Sequence, residues 1–501
     1  MGMLDAPDRQ QLEEVSTPLY ANRVRVYPQA VQGRVRRAKW AVLIFCLAVY
    51  YLLPWLRWDR GPGQPDQAVL VDMEHGRLFF FWIEIWPQEV YYITGLLVLG
   101  AVALFAVTSL FGRVWCGFAC PQTVWTDLFM WVERLIEGDR NARMRRDRKP
   151  RWDWSDRARK LAKHAAWLLI AALTGGAWVM YFNDAPTLLR DALAGQVSMA
   201  VLGFFGLFTG TTYLLAGWAR EQVCTYMCPW PRFQAAMMDA DSLIVSYRGW
   251  RGEPRGKARS AGVGDCVDCR ACVNVCPTGV DIREGLQISC IGCGLCIDAC
   301  DGIMTKLGRP EGLIAFETLN NLAASEAATT MLPPGAARRG PGMAARKAPR
   351  ILRTRTYLYA AVIFVVAGAM LASLALRQPV GLEVLRDRAP LFVKLSDGSV
   401  RNSYTLKLSD RRHEAATLAV VVEGLPEATH LQVVGSDSAD TAGRPLVTTK
   451  PDGVAEWRLL VTIPAEALPR TDSTDVTIRL LEPAGHRSLA SQHSVFLGPK
   501  P

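Results

Sequence analysis

The sequence has no C-x-x-C-H pattern to attach a haem and no G-x-G-x-x-G turn to seat a dinucleotide, so neither a c-type haem nor a bound nicotinamide belongs to this chain. No cysteine follows Cys300, which excludes disulfides from everything downstream. Histidine is scarce, with six in 501 residues. Four of them, His413, His430, His486 and His493, fall in the C-terminal part without ligand spacing, so that part reads as free of redox and metal chemistry. His75, after Met73 and Glu74, reads as part of a solvated loop in preference to a weak copper site. No small-residue cleavage site follows the first apolar stretch, and a long polar, basic segment precedes it, which argues against a removable signal peptide.

Cysteine is instead concentrated in one run. Residues 266–300 read CVDCRACVNVCPTGVDIREGLQISCIGCGLCIDAC, in which C-x2-C-x2-C-x3-C occurs twice in succession. Three thiolates close together and a fourth from farther along wrap a cuboidal cluster, and in two-cluster ferredoxins each run lends its last cysteine to the other cluster. Cys266, Cys269, Cys272 and Cys300 are then expected to hold one 4Fe-4S cluster, and Cys290, Cys293, Cys296 and Cys276 the other. Structural zinc sites lack the triplet spacing and separate two C-x2-C pairs by a longer stretch. The two runs differ in one place: Pro277 follows Cys276, whereas Asp301 follows Cys300.

Apolar residues are bunched in five stretches near the roughly 20 residues that a bilayer demands: Trp40 to Trp55, Tyr91 to Leu110, Ala165 to Phe182, Val197 to Trp218 and Tyr357 to Leu376. The first is short and runs into Pro54. Basic residues crowd before the first stretch (Arg34 to Lys39), between the second and third (Arg140 to Lys160) and before the fifth (Arg346 to Arg355), while the 183–196 loop has only Arg190. The positive-inside rule therefore places the N-terminus, the 113–160 loop and the 220–356 segment in the cytoplasm, with everything after Leu376 outside. The net charge of +10 is explained by topology and membrane lipid, and no nucleic-acid partner is implied. Apart from Cys46 in the first span, all cysteines fall in or beside the cytoplasmic parts, where a reducing compartment suits clusters and free thiols.

The expected organisation is a cytoplasmic N-terminal segment (1–39), a first transmembrane hairpin (40–112), a cytoplasmic loop with an amphipathic helix (113–160), a second hairpin (161–219), a cytoplasmic cluster domain (220–322), a flexible basic linker (323–356), a fifth transmembrane helix (357–377) and a periplasmic domain (378–501). In the last, strand-like runs recur at Leu391–Leu395, Ser403–Leu408, Thr417–Val422, Leu431–Val434, Ala455–Ile463, Asp475–Leu481 and Ser488–Leu497, with Asp397-Gly398 as a turn between the first two. Seven short strands fit an immunoglobulin-like sandwich.

Each hairpin ends in the same C-x3-C-P pattern, giving Cys116 and Cys120 in one and Cys224 and Cys228 in the other. The repetition suggests an internal duplication, with the two pairs converging at the membrane surface beneath the cluster domain. Proline is welcome at the first helical position, so Cys120 is expected to cap a helix starting at Pro121, on which Val124, Leu128, Trp131 and Leu135 form an apolar stripe. Cys228 before Pro229 repeats the logic. A helix N-terminus lowers a thiol's pKa and improves it as a metal ligand or redox group, and thiolates prefer soft ions such as Cu(I). Against this stand two other readings, small apolar residues packing in a bundle and ligands to zinc or a further cluster.

Together GRVWCGFACPQTVWTDLFMWVERLIEGDRNARMR, CTYMCPWPRFQ, the ferredoxin pair and GRPEGLIAFET resemble the CcoG proteins, also called FixG or RdxA, which accompany assembly of cbb-type cytochrome oxidases. The resemblance runs from Arg23 into the C-terminal sandwich. The C-x3-C-P element alone is similar to NapH- and NosR-type membrane subunits, which pass quinol electrons to periplasmic reductases. What the CcoG resemblance implies is a cupric reductase of the bacterial inner membrane, with two 4Fe-4S clusters as cofactors and copper as substrate. Cys116, Cys120, Cys224 and Cys228 would then contact copper or relay electrons. It also implies a copper-exporting ATPase and oxidase subunits as partners, and a homodimer is compatible with it. Electrons are expected from a donor protein or from quinol. Two further readings stay open: a quinol dehydrogenase feeding an external acceptor, and a non-enzymatic scaffold for oxidase assembly. The expected fold class is a membrane α-helical bundle of about five transmembrane helices with a cytoplasmic two-cluster ferredoxin-like domain and a C-terminal all-β immunoglobulin-like sandwich.

Overall fold

The computed structural model describes residues 25–61, 64–258, 260, 262–330, 350–378, 380–412, 415–436, 438–450, 453–469, 471–482 and 487–499. The chain divides into two compact units, Met1–Gly368 and Ala369–Pro501.

In the first unit's helices and the one that closes it, four segments are long and apolar enough to cross a membrane: Arg34–Trp55, Pro87–Phe111, Met199–Ala219 and Thr354–Ala375. The fifth expected stretch, Ala165–Phe182, lies in the helix Trp154–Met180, whose first turns are charged. That helix nevertheless runs the length of the bundle. Near its start Lys163 stands 3.2 Å from Glu137, and at its end the Met180 carbonyl accepts from Gln67 at 2.7 Å. Between these anchors it rises about 26 Å at ~1.5 Å per residue. Gly175 lets it lie close against Met199–Thr212, since a Cβ there would stand 2.6 Å from the Thr209 hydroxyl oxygen.

Gln67 belongs to a loop that carries a small antiparallel sheet, β1 (Val69–Asp72), β2 (Arg77–Phe80) and β3 (Ile83–Ile85). The segment expected as a solvated loop is therefore the tip of a hairpin, where His75 Nδ1 lies 2.7 Å from an Asp72 carboxylate oxygen.

The helix Pro121–Glu137 lies antiparallel to Trp154–Met180. Its Trp125 indole donates to Thr174 Oγ1 at 2.9 Å, and Glu133 near its other end lies 3.7 Å from Lys163. Of the expected apolar stripe Val124 is buried, but Trp131 is 44% and Leu135 71% exposed. The face turned inward carries Asp127, Glu133 and Glu137, all buried. Trp131 and Leu135 are thus turned outward, while Val124, Phe129 and Val132 share the buried face with charges that pair there. Glu133 accepts from Arg143 at 2.7 Å and from Arg220 at 2.8 Å, and Asp127 pairs with Arg36 at 2.7 Å.

The ferredoxin region hangs on two short helices, Ala271–Val275 and Leu295–Lys306, braced by β4 (Ile244–Tyr247) and β5 (Ile314–Glu317), which pair antiparallel. A further helix, Leu319–Thr330, enters the segment expected as a linker from residue 323; residues 331–349 and 1–24 lie outside the described residues.

The second unit is a sandwich of two antiparallel sheets. One has the order β10 (His430–Val434), β12 (Gly453–Ile463), β8 (Val400–Asp410), β6 (Val380–Arg386), with β7 (Val393–Lys394) also on β8. The other runs β11 (Leu446–Thr448), β9 (Thr417–Glu423), β13 (Ser473–Leu481), β14 (Ser488–Leu497). Every second residue of β8 is buried, the period of a sheet with one face in a core. Tyr404 closes the two layers by donating to the Val495 carbonyl at 2.9 Å. Strands β6 and β11 had no counterpart in the sequence pattern. His430 and His493 are surface residues, while His413 and His486 lie outside the described residues.

Candidate iron-sulfur and thiol site

The two ferredoxin runs repeat each other in backbone as well as in spacing. Asp268 and Arg270 in the first run have φ of +51° and +55°; Gly292 and Gly294 at the matching places in the second have +68° and +69°. Each run thus turns twice through the left-handed region before its helix starts, which swings successive thiols toward one point. An L residue there costs roughly 1–2 kcal/mol, so the first run stores that cost and the second avoids it with glycine. Gly294 also has no space for a side chain, because a Cβ would stand 3.0 Å from Phe316 and Val35.

The thiols group across the runs. Cys300 feels the charges of Cys272, Cys266 and Cys269, while Cys296 feels first those of Cys293, Cys276 and Cys290 and then that of Cys272. A cavity walled by Cys276, Cys290, Cys293 and Cys296, with Cys272 at its side, lies between Val245, Ile282 and Ile291. Burial raises Cys290, Cys293 and Cys296 and pushes Cys272 up to about 11 and Cys300 to about 12, so these five shed their protons when a cation takes their place. The donor set therefore fits two 4Fe-4S clusters. Cys276 also accepts from the Val280 amide at 3.3 Å. The missing second proline has a plain cause: Cys276 ends its helix, whereas Cys300 lies inside Leu295–Lys306, where proline would break the helix. Asp301 instead accepts from the Gly312 amide at 2.7 Å.

The two C-x3-C-P elements also match in backbone. Gly112 and Arg220, each four residues before its first cysteine, have φ/ψ of 58°/−129° and 43°/−112°. Both break the span above them. In the second the break follows a widened turn in which the Arg220 amide donates to the Leu215 carbonyl at 2.8 Å, an i→i−5 bond of the kind often found at functional sites. The structure brings the four cysteines together: Cys116 feels the charges of Cys120, Cys224 and Cys228. Cys116 and Cys224 both pack against Cys293 and its apolar neighbours. Gly117 touches the same strand of chain, since a Cβ would lie 2.8 Å from the Cys293 Cα.

At Cys116, Cys120 and Cys224 the expected lowering of the thiol pKa does not occur. Burial, with the neighbouring thiolates second, pushes Cys116 and Cys224 up to about 12. At Cys120 the helix-terminus effect is present, as the Thr123 and Gln122 amides pull the value down, but burial outweighs it. Desolvation of a charge exceeds what two amides return.

The roles of several residues of the site were invisible in the sequence. Arg113 donates to the carbonyls of Ile288, Cys290 and Pro231, the last two at 2.9 and 2.7 Å, tying the first membrane element to the cluster loop. Asp298 caps the first span by accepting from the Val35 and Arg36 amides at 3.2 and 2.7 Å. Gln234, fully buried, accepts from the Cys116 thiol at 3.1 Å. Lys39, also buried, favours the charged form of Cys224 and Cys293. Arg113, Gln234 and Asp298 fall inside the quoted motifs, but only the fold shows what each of them touches.

Family models match at three places: a 4Fe-4S dicluster domain over residues 219–319, a 4Fe-4S binding domain over 93–138, and the IG-like fold at the C-terminal of FixG over 370–499. Among curated relatives, the nitrogen fixation protein FixG of Rhizobium meliloti is 48% identical over 93% of this chain and 91% of its own. Protein RdxA of Cereibacter sphaeroides is 47% identical over 94% and 96%. Protein RdxB of the same organism is 49% identical over 84% and 88%.

Proposed function

Because the chain belongs to the FixG/RdxA family of membrane iron-sulfur proteins, we propose that it is an oxidoreductase that reduces Cu(II) to Cu(I) at Cys116, Cys120, Cys224 and Cys228 for the assembly of a cbb-type oxidase. The observation that carries this reading is the packing of Cys116 and Cys224 against the apolar cluster that contains Cys293, with Gly117 between the first pair set against the Cys293 backbone. When bound, the two clusters supply electrons one at a time. The chain's own part is to bind the metal next to them. Soft thiolates hold Cu(I) better than Cu(II), so binding itself favours the reduced ion. Cys116, Cys120 and Cys224 are partly shielded while Cys228 stands exposed at the entry, Gln234 orients Cys116, and Lys39 offsets the negative charge that grows as protons leave.

In the Cys116→Ser/Cys120→Ser double variant, cluster absorbance is expected to stay while Cu(I) trapped by a chelator falls to background after anaerobic Cu(II) addition. Unchanged copper reduction would overturn the site. The match of a 4Fe-4S binding model across Cys116 and Cys120 favours one second reading, in which the four thiols hold a cluster of their own. Iron content separates the two: about eight irons per chain for two clusters, about twelve for three.

A further inference from the structure

A cavity of about 570 Å³, the size of a small-ligand site, lies beside the thiols and has no part in the chemistry above. Its walls come from the helix Trp154–Met180 and from the widened turn Tyr213–Ala219. Leu214 and Trp218 at its edge are 53% and 66% exposed and belong to the span Met199–Ala219, so its mouth faces the apolar surface of the bundle. A ligand that enters there dissolves in lipid.

The lining selects the head group. Trp152, Trp167 and Tyr213 give it flat apolar surface. Each cation on the wall is already paired: Lys160 and Lys163 with Glu137 at 3.2 Å, Arg220 with Glu133 at 2.8 Å, and Arg25 with Asp147 at 2.9 Å. An anionic head group would gain little from charges so neutralised. What the cavity does offer is a hydrogen-bonding pair, His164 Nδ1 and the Tyr213 hydroxyl, 2.8 Å apart. His164 Nε2 makes no hydrogen bond among the described residues. Arg220 and Glu221 line both this cavity and the smaller one that reaches Cys224, so a ligand here stands one layer of side chains from the thiols.

We propose that this cavity binds a quinol, with one hydroxyl on His164 Nε2, and that it is the entry for electrons. The inference rests on the oxidoreductase reading and supplies its reductant. The hydroquinone loses two electrons and two protons to become the quinone. Two 4Fe-4S clusters held by the eight ferredoxin cysteines would accept these electrons, one each. One O–H bond gives its proton to His164 Nε2, and the other releases its proton to water at the Arg25 side.

The test is photolabelling of the detergent-purified full chain with an azidoquinone, in competition with a short-chain quinol or with an anionic phospholipid. The expected result is labelled peptides from residues 152–167 and 213–221, label displaced by the quinol and not by the phospholipid, and at least tenfold weaker labelling in His164→Leu at unchanged melting temperature. A Tyr213→Phe variant, which keeps the wall and removes the hydroxyl, is expected to weaken labelling severalfold. Label elsewhere, displacement by phospholipid alone, or full labelling of both variants would overturn the proposal. A second readout is the rate at which quinol reduces the clusters, expected to fall at least tenfold in His164→Leu. Because dithionite loads the clusters without the cavity, failure of quinol reduction and failure of copper reduction are read separately.

Discussion

Gly117 sits between the two cysteines of the first C-x3-C-P element and carries no chemistry, yet its missing side chain decides how closely that element approaches the cluster domain. A Cβ there would meet the Cys293 Cα and amide nitrogen at 2.8 and 2.9 Å, and backbone yields less readily than a side-chain tip. Gly117→Ala is therefore expected to lower iron content and the signal of the cluster walled by Cys293, leaving the other cluster intact; full iron content would show the loop is free to retreat. Glu133 is the complementary case of a residue whose charge matters. Burial alone would raise its carboxyl, but Arg220, Arg143 and Lys163 together hold it below the usual carboxylate range. Its folded value lies below its unfolded one, so its stabilisation is present in full above about pH 4.5 and is lost as pH falls through the folded value. Glu133→Gln leaves two guanidinium groups buried without their partner and is expected to cost about 3–5 kcal/mol, read as a lower melting temperature in detergent at pH 7. The gap to the unmodified chain should narrow in acid. The cysteines of the site were legible because their spacing is their chemistry. Gly117, Glu133 and Arg113 were not, because each acts on a residue far away in sequence.

At the scale of elements, the apolar runs gave the spans directly, since length and hydropathy suffice when the surroundings are lipid. The amphipathic period of Pro121–Glu137 was also legible, but which face is buried depends on the solvent outside, and here that face carries charges as well as apolar side chains. The hairpin of β1 and β2 escaped notice because RLFFFWIEIW does not alternate, and β6 because it follows a membrane helix almost without a break. The widened turn before Arg220 has no sequence signal at all. What joins these elements is mostly arginine. Arg113 donates to three carbonyls on two other segments, and its removal takes that donor from the Ile288 and Cys290 carbonyls of the cluster loop. Arg113→Ala is expected to speed hydrogen exchange in the 286–292 loop at least tenfold without changing that of the sandwich. Equal exchange in both would mean that Gly117 and the apolar packing hold the loop alone.

For the molecule as a whole, the count of crossings decides which side each end occupies, and one helix decides the count. Trp154–Met180 fails a composition test for a span because its first turns are charged, but Lys163 and Lys160 are paired with Glu137 and turned into the bundle, while Met180 meets Gln67 in the loop that follows the first span. This helix therefore ends where the loop after the first span lies. We propose that it crosses as well, giving five crossings that would set residues 34 and 375 on opposite sides, the basic stretches favouring the cytoplasm for the first of them and for the clusters. Alkaline phosphatase, which folds to activity only outside the cytoplasm, is expected to be active when fused after Pro501 and inactive when fused after Arg255. Activity at neither position would mean that Trp154–Met180 turns back within the bundle; it would also remove the lipid-facing entry to the cavity that the helix walls, so this fusion pair tests the route for electrons as well as the topology.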